Sequence, residues 1–327
     1  MRRSALVLTG LALALALAPR AALAAASPGK ATPWTATDLV HQERAREMAL
    51  SPDGAWLAWV KSAVDTEADL ETRNLVLTRL ADGEETPLTR GRQRVASPLW
   101  SPDGRRLAFL SERALPPGEG EGEEEEIARI WIFTLPGGEP RPLATGPRPV
   151  EAYAWAGPER IVFAAAEAPS RAERLREERQ DGTIAVEDPA ETPPVRLFSV
   201  AIADGAVTRL TDNTDWIEDL ALARDGRRAA TVHRRSLSSD WDEKVPPEVW
   251  LWDLEAGTRT RLFPDRRTAP YSLAWSPDGA GLYAVFPFTR HPEFHQATVA
   301  RLWWHEVGAG PAVAGAREID LGWERGL

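Results

Sequence analysis

The 327-residue chain has no cysteine. That absence removes disulfides, Cys-ligated zinc, iron–sulfur clusters and thiol nucleophiles together. Lysine is nearly missing as well. Lys30, Lys61 and Lys244 are the whole complement, and arginine supplies the rest of the 39 basic residues. With 49 Asp plus Glu the net charge is −10, which argues against a nucleic-acid-binding surface, because phosphate neutralisation needs a basic face. No G-x-S-x-G occurs, so these residues offer no nucleophile elbow. A Gly-rich loop that would cradle phosphate is also missing. Beyond the first two dozen residues no apolar run approaches the roughly 20 residues that a membrane span requires.

What is present reads as globular, with 43% hydrophobic and 27% charged residues. Fourteen Trp and 27 Pro suit a chain of short strands and turns. The N-terminus reads as an address. Arg2 and Arg3 form a positive n-region, Ala5 to Ala18 is mostly apolar, and Ala22-Leu23-Ala24 places small residues at a cleavage site. Residues 1–24 are therefore expected to be a secretory signal, cleaved near Ala24–Ala25, with the mature protein exported to the periplasm or secreted and without a membrane span. Residues 25–36 form a Pro/Ala/Thr linker, and 37–327 form the body.

The body repeats. Leu50-Ser51-Pro52-Asp53-Gly54, Trp100-Ser101-Pro102-Asp103-Gly104, Trp155-Ala156-Gly157-Pro158-Glu159, Leu222-Ala223-Arg224-Asp225-Gly226 and Trp275-Ser276-Pro277-Asp278-Gly279 each precede an apolar run. Each unit reads as strand, tight turn, strand, with Asp53, Gly54, Asp103, Gly104, Asp225, Gly226, Asp278 and Gly279 as structural turn residues. Pro presets the turn, and Gly takes the positive φ that closes it. A second hairpin follows: strands at Leu75–Leu80, Ile130–Leu135, Leu197–Ile202, Val249–Leu254 and Leu302–Val307 run to turns at Gly83, Gly138, Gly205, Gly257 and Gly310. A short outer strand with a Leu-Thr type ending is expected next, the endings being Leu88-Thr89, Leu143-Ala144, Leu210-Thr211 and Leu262-Phe263. Four strands per unit of about 50 residues is the signature of a β-propeller blade. The fold class is all-β, with about five four-stranded blades over residues 44–91, 92–147, 148–213, 214–265 and 266–327, expected to be part of an incomplete seven- or eight-bladed propeller. One blade cannot bury both its apolar faces, so neighbours must stack. Trp100, Trp155 and Trp275, just ahead of the first turns, are expected to fill those layers.

Two insertions interrupt the period. The acidic run within Pro116 to Glu126 reads as a solvated, self-repelling loop. It lacks the spaced ligands of a calcium loop. Between Pro169 and Pro194, Ser170-Arg171-Ala172-Glu173 has capping-box form and predicts a short exposed helix stopped near Gly182. His291 and His295 are spaced i, i+4, but Pro292 places them in a loop rather than on a zinc-binding helix. His305, beside Trp303-Trp304, reads as a packing residue. Trp252-Asp253 matches the WD40 dipeptide, but no Gly-His partner accompanies it and the units are too long. No catalytic, cofactor-binding or metal-binding residue is assigned.

The Ser-Pro-Asp-Gly, apolar strand, Gly turn, Leu-Thr rhythm resembles the TolB-like propeller repeat. The lead-in Pro33-Trp34-Thr35-Ala36-Thr37-Asp38-Leu39-Val40, the entry Ala45 to Gly54 and the segment Asp188 to Phe198 make the chain similar to the N-terminal propeller of the prolyl oligopeptidase family of serine peptidases (S9), of the acylaminoacyl-peptidase and dipeptidyl-peptidase type. The resemblance spans about residues 33–327. It implies a propeller that admits short peptides to a C-terminal α/β-hydrolase domain carrying Ser, Asp and His. No match to that domain lies within these residues, so no catalytic residue is carried over and peptide substrates are expected only through it. Some relatives anchor a substrate amino terminus on paired Glu. Glu177-Glu178 has that form but lies in a run of alternating charges, which assigns it to a solvated helix face. The alternative is a stand-alone TolB-like periplasmic propeller that binds a protein or small ligand.

Overall fold

An Asp-Gly turn that returns a strand on itself fixes the register of a hairpin, and repeating it fixes a series of small sheets. The computed structural model describes residues 33–116, 127–135, 137–182, 188, 191–238, 244–289, 298–308 and 315–322. The expected signal segment, the core of the acidic run, His291, His295 and Gly310 lie outside the described residues. The chain divides into two compact units, residues 1–41 and 42–327. Within the first, Thr35 caps a five-residue helix α1 (Ala36–Val40) by a capping box with Asp38.

The second unit is a series of antiparallel four-stranded sheets. Blade 1 is β1 (Arg44–Leu50), β2 (Trp56–Asp65), β3 (Leu70–Arg79) and β4 (Glu85–Pro87). Blade 2 is β5 (Val95–Trp100), β6 (Arg106–Ser111), β7 (Arg129–Thr134) and β8 (Arg141–Pro142). Blade 3 is β9 (Val150–Trp155), β10 (Arg160–Ala166), β11 (Val195–Ala201) and β12 (Val207–Arg209), with helix α2 (Arg171–Glu178) between β10 and β11. Blade 4 is β13 (Trp216–Leu222), β14 (Arg228–Arg234), β15 (Glu248–Asp253) and β16 (Thr258–Leu262). Blade 5 is β17 (Ser272–Trp275), β18 (Gly281–Phe288), β19 (Val299–Glu306) and β20 (Ala316–Ile319). Strands pair in chain order within each blade, and one parallel bridge, Val195 to Trp216, joins blades 3 and 4. The architecture is an all-β propeller.

Both faces of β6, β7, β10 and β14 are buried, which explains their near-continuous apolar runs. Successive side chains point to opposite faces. In β6, Leu107 and Phe109 pack with Ala58, Val60 and Leu75 of blade 1, while Ala108 and Leu110 pack with Tyr153, Ile161 and Phe163 of blade 3. In β14, Ala229 joins Val162 and Leu197 of blade 3, and Ala230 joins Leu282 and Phe286 of blade 5. A fully buried side chain of this kind, such as Phe109, contributes about 1.5–3 kcal/mol.

Three of the outer strands close at the residue before their Leu-Thr or Leu-Ala endings. Leu88 and Leu210 still donate to the Leu75 and Leu197 carbonyls at 2.8 Å each. The Thr89 and Thr211 hydroxyls then accept the Leu75 and Leu197 N–H at 2.8 and 2.9 Å. A side-chain oxygen thus replaces the next backbone partner, and the strand stops. Helix α2 has the expected capping box of Ser170 and Glu173, but it does not stop on Gly182. It ends at Arg179, and Gln180 takes the left-handed conformation at φ 52°.

Candidate functional site

The predicted turn residues build one repeated network. Gly54, Gly104, Gly226 and Gly279 adopt φ of 70°, 69°, 68° and 69°. Ser101 Oγ donates to Asp103 Oδ1 at 2.6 Å and accepts the Arg106 N–H at 2.9 Å, while Asp103 Oδ1 accepts the Arg105 N–H. Ser51/Asp53 and Ser276/Asp278 repeat the pattern. The Ser hydrogen bond leads in holding Asp53, Asp103 and Asp278 below the ordinary carboxylate value. In blade 4 Ala223 replaces the Ser. There burial pushes Asp225 up, and the Arg227 N–H and the Arg228 side chain and N–H outweigh it.

These turns also carry the contacts between blades. Trp100 Nε1 donates to the Ala49 carbonyl of blade 1 at 3.0 Å, Trp155 to Leu99 of blade 2 at 3.1 Å, and Trp275 to Ala221 of blade 4 at 3.0 Å. The acceptor stands in each case two residues before its own blade's turn. Arginines that open the second strands reach the other way. Arg106 donates to the Pro158 carbonyl at 2.7 Å, and Arg160 donates to the Gly226 carbonyl at 3.3 Å. A Cβ on Gly226 would lie 3.2 Å from the Ala156 carbonyl oxygen of blade 3, so the glycine serves that close approach as well as its φ. On the first strands, Glu47 accepts from the Ser97 N–H and Tyr153 donates to the Ser97 carbonyl, linking three blades. Burial first, then the Glu47 charge, raises the Tyr153 phenol well above its ordinary value. Both Glu47 and Ser97 sit at strand irregularities with positive φ.

Sequence reading did not find the most connected polar group. His233 Nδ1 lies 2.7 Å from Asp215 Oδ1, and its Nε2 lies 2.8 Å from Thr231 Oγ1. Trp252 Nε1 donates to that same hydroxyl at 2.9 Å. Asp215 accepts only, so Nδ1 carries the proton; Thr231, already accepting from Trp252, donates to Nε2. Asn213 Nδ2 lies 2.9 Å from both Asp215 Oδ1 and the Val195 carbonyl, and Thr211 donates to Asn213 Oδ1 at 2.9 Å. Burial pushes Asp215 up, but bonding to His233 and Asn213 outweighs it and leaves the carboxyl below its ordinary value. The order acid, imidazole, hydroxyl copies a hydrolytic triad. Here it cannot act as one, because Thr231 and His233 are 0% exposed and the hydroxyl's acceptor side faces an indole. The group is a buried clamp that joins blade 4 to the third strand of blade 3. The pattern D-x17-H, with Thr two residues before the His, was in the sequence, but nothing local marks Trp252 as its end.

His305 is buried in β19, edge-to-face with Phe263 at 5.2 Å, and burial lowers its pKa. Glu177 and Glu178 lie on α2, a helix with no buried residue. That helix is fastened by Arg148, which donates to Glu173 at 2.6 Å and to the Glu167 carbonyl at 3.1 Å. Among the described residues no group of three or more His, Asp or Glu side chains converges on a metal position, and no helix is long and apolar enough to cross a membrane.

No protein-family model matches the chain. It is 36% identical over 121 residues to the uncharacterized peptidase YuxL of Bacillus subtilis; the match covers 37% of this chain and 17% of the relative. The match thus spans far less than two thirds of that peptidase's length. Among solved structures, the acylaminoacyl peptidase of Pyrococcus horikoshii superposes with a TM-score of 0.54 at 12% identity, over 85% of this chain and 40% of that one. A TolB of Agrobacterium tumefaciens superposes with a TM-score of 0.51 at 16% identity, over 84% and 80%. The chain is a TolB-like β-propeller of the kind that peptidases carry, and it is homologous to peptidases.

Proposed function

We propose that the chain is the substrate-gating propeller portion of an exported serine peptidase of the prolyl oligopeptidase type. The observation that carries this reading is the combination of a peptidase relative with a match to only 17% of it. In the whole protein a hydrolase domain encoded beyond Leu327 performs acyl transfer to a Ser, with a His as base and an oxyanion hole for the tetrahedral intermediate. The propeller's part is steric: stacked blades exclude folded proteins and pass short peptides. Export rests on Arg2, Arg3 and the apolar run that follows them. Extending the DNA sequence past the Leu327 codon, then assaying the encoded protein on peptides of graded length, tests the reading. An open frame with a G-x-S-x-G and activity falling with substrate length are expected. A stop codon there, with no peptide hydrolysis, overturns it.

A second reading is a stand-alone exported binding module. It draws on the match over 80% of the TolB chain, and it is the reading that a stop codon would favour.

A further inference from the structure

One register position recurs in all five blades. It lies on the third strand, opposite the second-strand residue that pairs with the pre-turn residue. Thr78, Phe133, Val200 and Trp252 hold it in blades 1 to 4, paired with Leu57, Leu107, Ile161 and Ala229. Phe133 and Val200 have no polar side-chain atom. Thr78 Oγ1 accepts from Trp59 Nε1 at 2.8 Å, and Trp252 Nε1 donates to Thr231. Blade 5 differs: His305 holds the position opposite Leu282 and is 3% exposed. Its Nδ1 lies 3.1 Å from the Glu306 carbonyl, which only accepts, so Nδ1 carries the proton and Nε2 is an acceptor. Burial lowers the His305 pKa and keeps the ring neutral at pH 7. Nε2 has no partner among the described residues, and it is not one of the sealed partnerless atoms such as Ser111 Oγ and Thr145 Oγ1. A largely buried acceptor without a donor asks for a reason. His305 lines a cavity of about 350 Å³ between blades 4 and 5, a size that suits a small ligand. Phe263, Pro264 and Trp303 supply its apolar wall. Phe263 stands edge-on to His305 in a left-handed conformation at φ 50°. Arg266, also in the lining, lies over the Trp303 ring, 3.7 Å from its centroid, and braces it.

We propose that this cavity binds a small phenol, with His305 Nε2 accepting the ligand's O–H and Phe263, Pro264 and Trp303 packing against its ring. An imidazole nitrogen that only accepts selects a donor, and a phenol presents one O–H on an otherwise apolar, planar body. An isostere without the hydroxyl fills the same space but leaves Nε2 unpaired, so the site discriminates against it. The site draws on blades 4 and 5 alone and is independent of peptide hydrolysis.

The test uses the full chain labelled with ¹⁵N-histidine and two probes, p-cresol and toluene, which differ only by the hydroxyl. The His305 signals are assigned by their loss in His305→Phe, which installs the residue that blade 2 carries at this position. His305→Gln serves the same purpose if the Phe variant does not melt cooperatively. Titration with p-cresol is expected to move the His305 Nε2 resonance and to reach half-saturation below about 5 mM. Toluene, followed by saturation transfer to the ligand, is expected to bind about ten-fold more weakly. In His305→Phe the two probes should bind equally, because the hydroxyl has lost its acceptor while the apolar wall remains. No saturable shift of the His305 Nε2 resonance overturns the proposal. So does equal affinity of the parent for the two probes, or a p-cresol advantage that survives the loss of His305.

Discussion

The seam between blades 2 and 3 and the seam between blades 3 and 4 solve one problem by different chemistry. At the first, Trp155 of the later blade donates to Leu99 of the earlier one, and Arg106 reaches forward to Pro158. The same Trp-to-carbonyl bond recurs between blades 1 and 2 and between blades 4 and 5. At the 3–4 seam the position before the turn is Leu222, which has no side-chain N–H to give. There Thr211, Asn213, Asp215, His233, Thr231 and Trp252 form one hydrogen-bonded chain, beside the parallel bridge of Val195 and Trp216. A single repeated bond can be lost with modest effect. A buried chain fails as a unit, since each member's removal orphans its neighbours.

That contrast can be broken at defined points. Thr231→Val keeps the shape but strands both the Trp252 N–H and His233 Nε2. At roughly 1–3 kcal/mol for each orphaned group, a loss of about 2–6 kcal/mol is expected, read as a lower urea midpoint. Asp215→Ala strands His233 Nδ1 and removes one acceptor of Asn213, which keeps the Val195 carbonyl; it should cost about 1–3 kcal/mol. It also has a pH signature. The folded Asp215 carboxyl sits below its ordinary value of 3.8, so its stabilisation is complete above that value and is lost as pH falls through the lower folded one. Acid titration of unfolding midpoints should therefore show a steeper low-pH decline in the parent than in Asp215→Ala. Trp155→Phe removes one inter-blade bond at a partly buried site and should cost about 1–2 kcal/mol, with hydrogen exchange rising at the 2–3 seam and not at the 3–4 seam. Ser101→Ala is expected to have the smallest effect, about 0.5–1 kcal/mol at neutral pH. It should also shift the Asp103 carboxyl, followed by NMR, back toward its ordinary value.

The blades were legible because their signals are local. Ser, Pro, Asp and Gly within four residues dictate a turn through Ser–Asp and Asp–backbone bonds and a positive φ, and alternating apolar residues dictate two buried faces. The Leu-Thr endings are visible too. Only the tertiary structure reveals that the Thr hydroxyl takes a backbone partner's place and ends the pairing. His233 stood in a readable strand with nothing to mark it, since its partners lie 18 residues before it and, through Thr231, 19 residues after it.

By itself, then, the sequence determined the repeat, its turns, its strand faces and the resemblance to peptidase propellers, all consequences of chemistry acting over a few residues. The tertiary structure decided which carbonyl each of the three inter-blade Trp residues would meet and that an acid–imidazole–hydroxyl chain would be sealed as a clamp. Those outcomes depend on how one blade stacks on the next, which brings together groups more than 50 residues apart at the Trp contacts, and no local pattern encodes that distance.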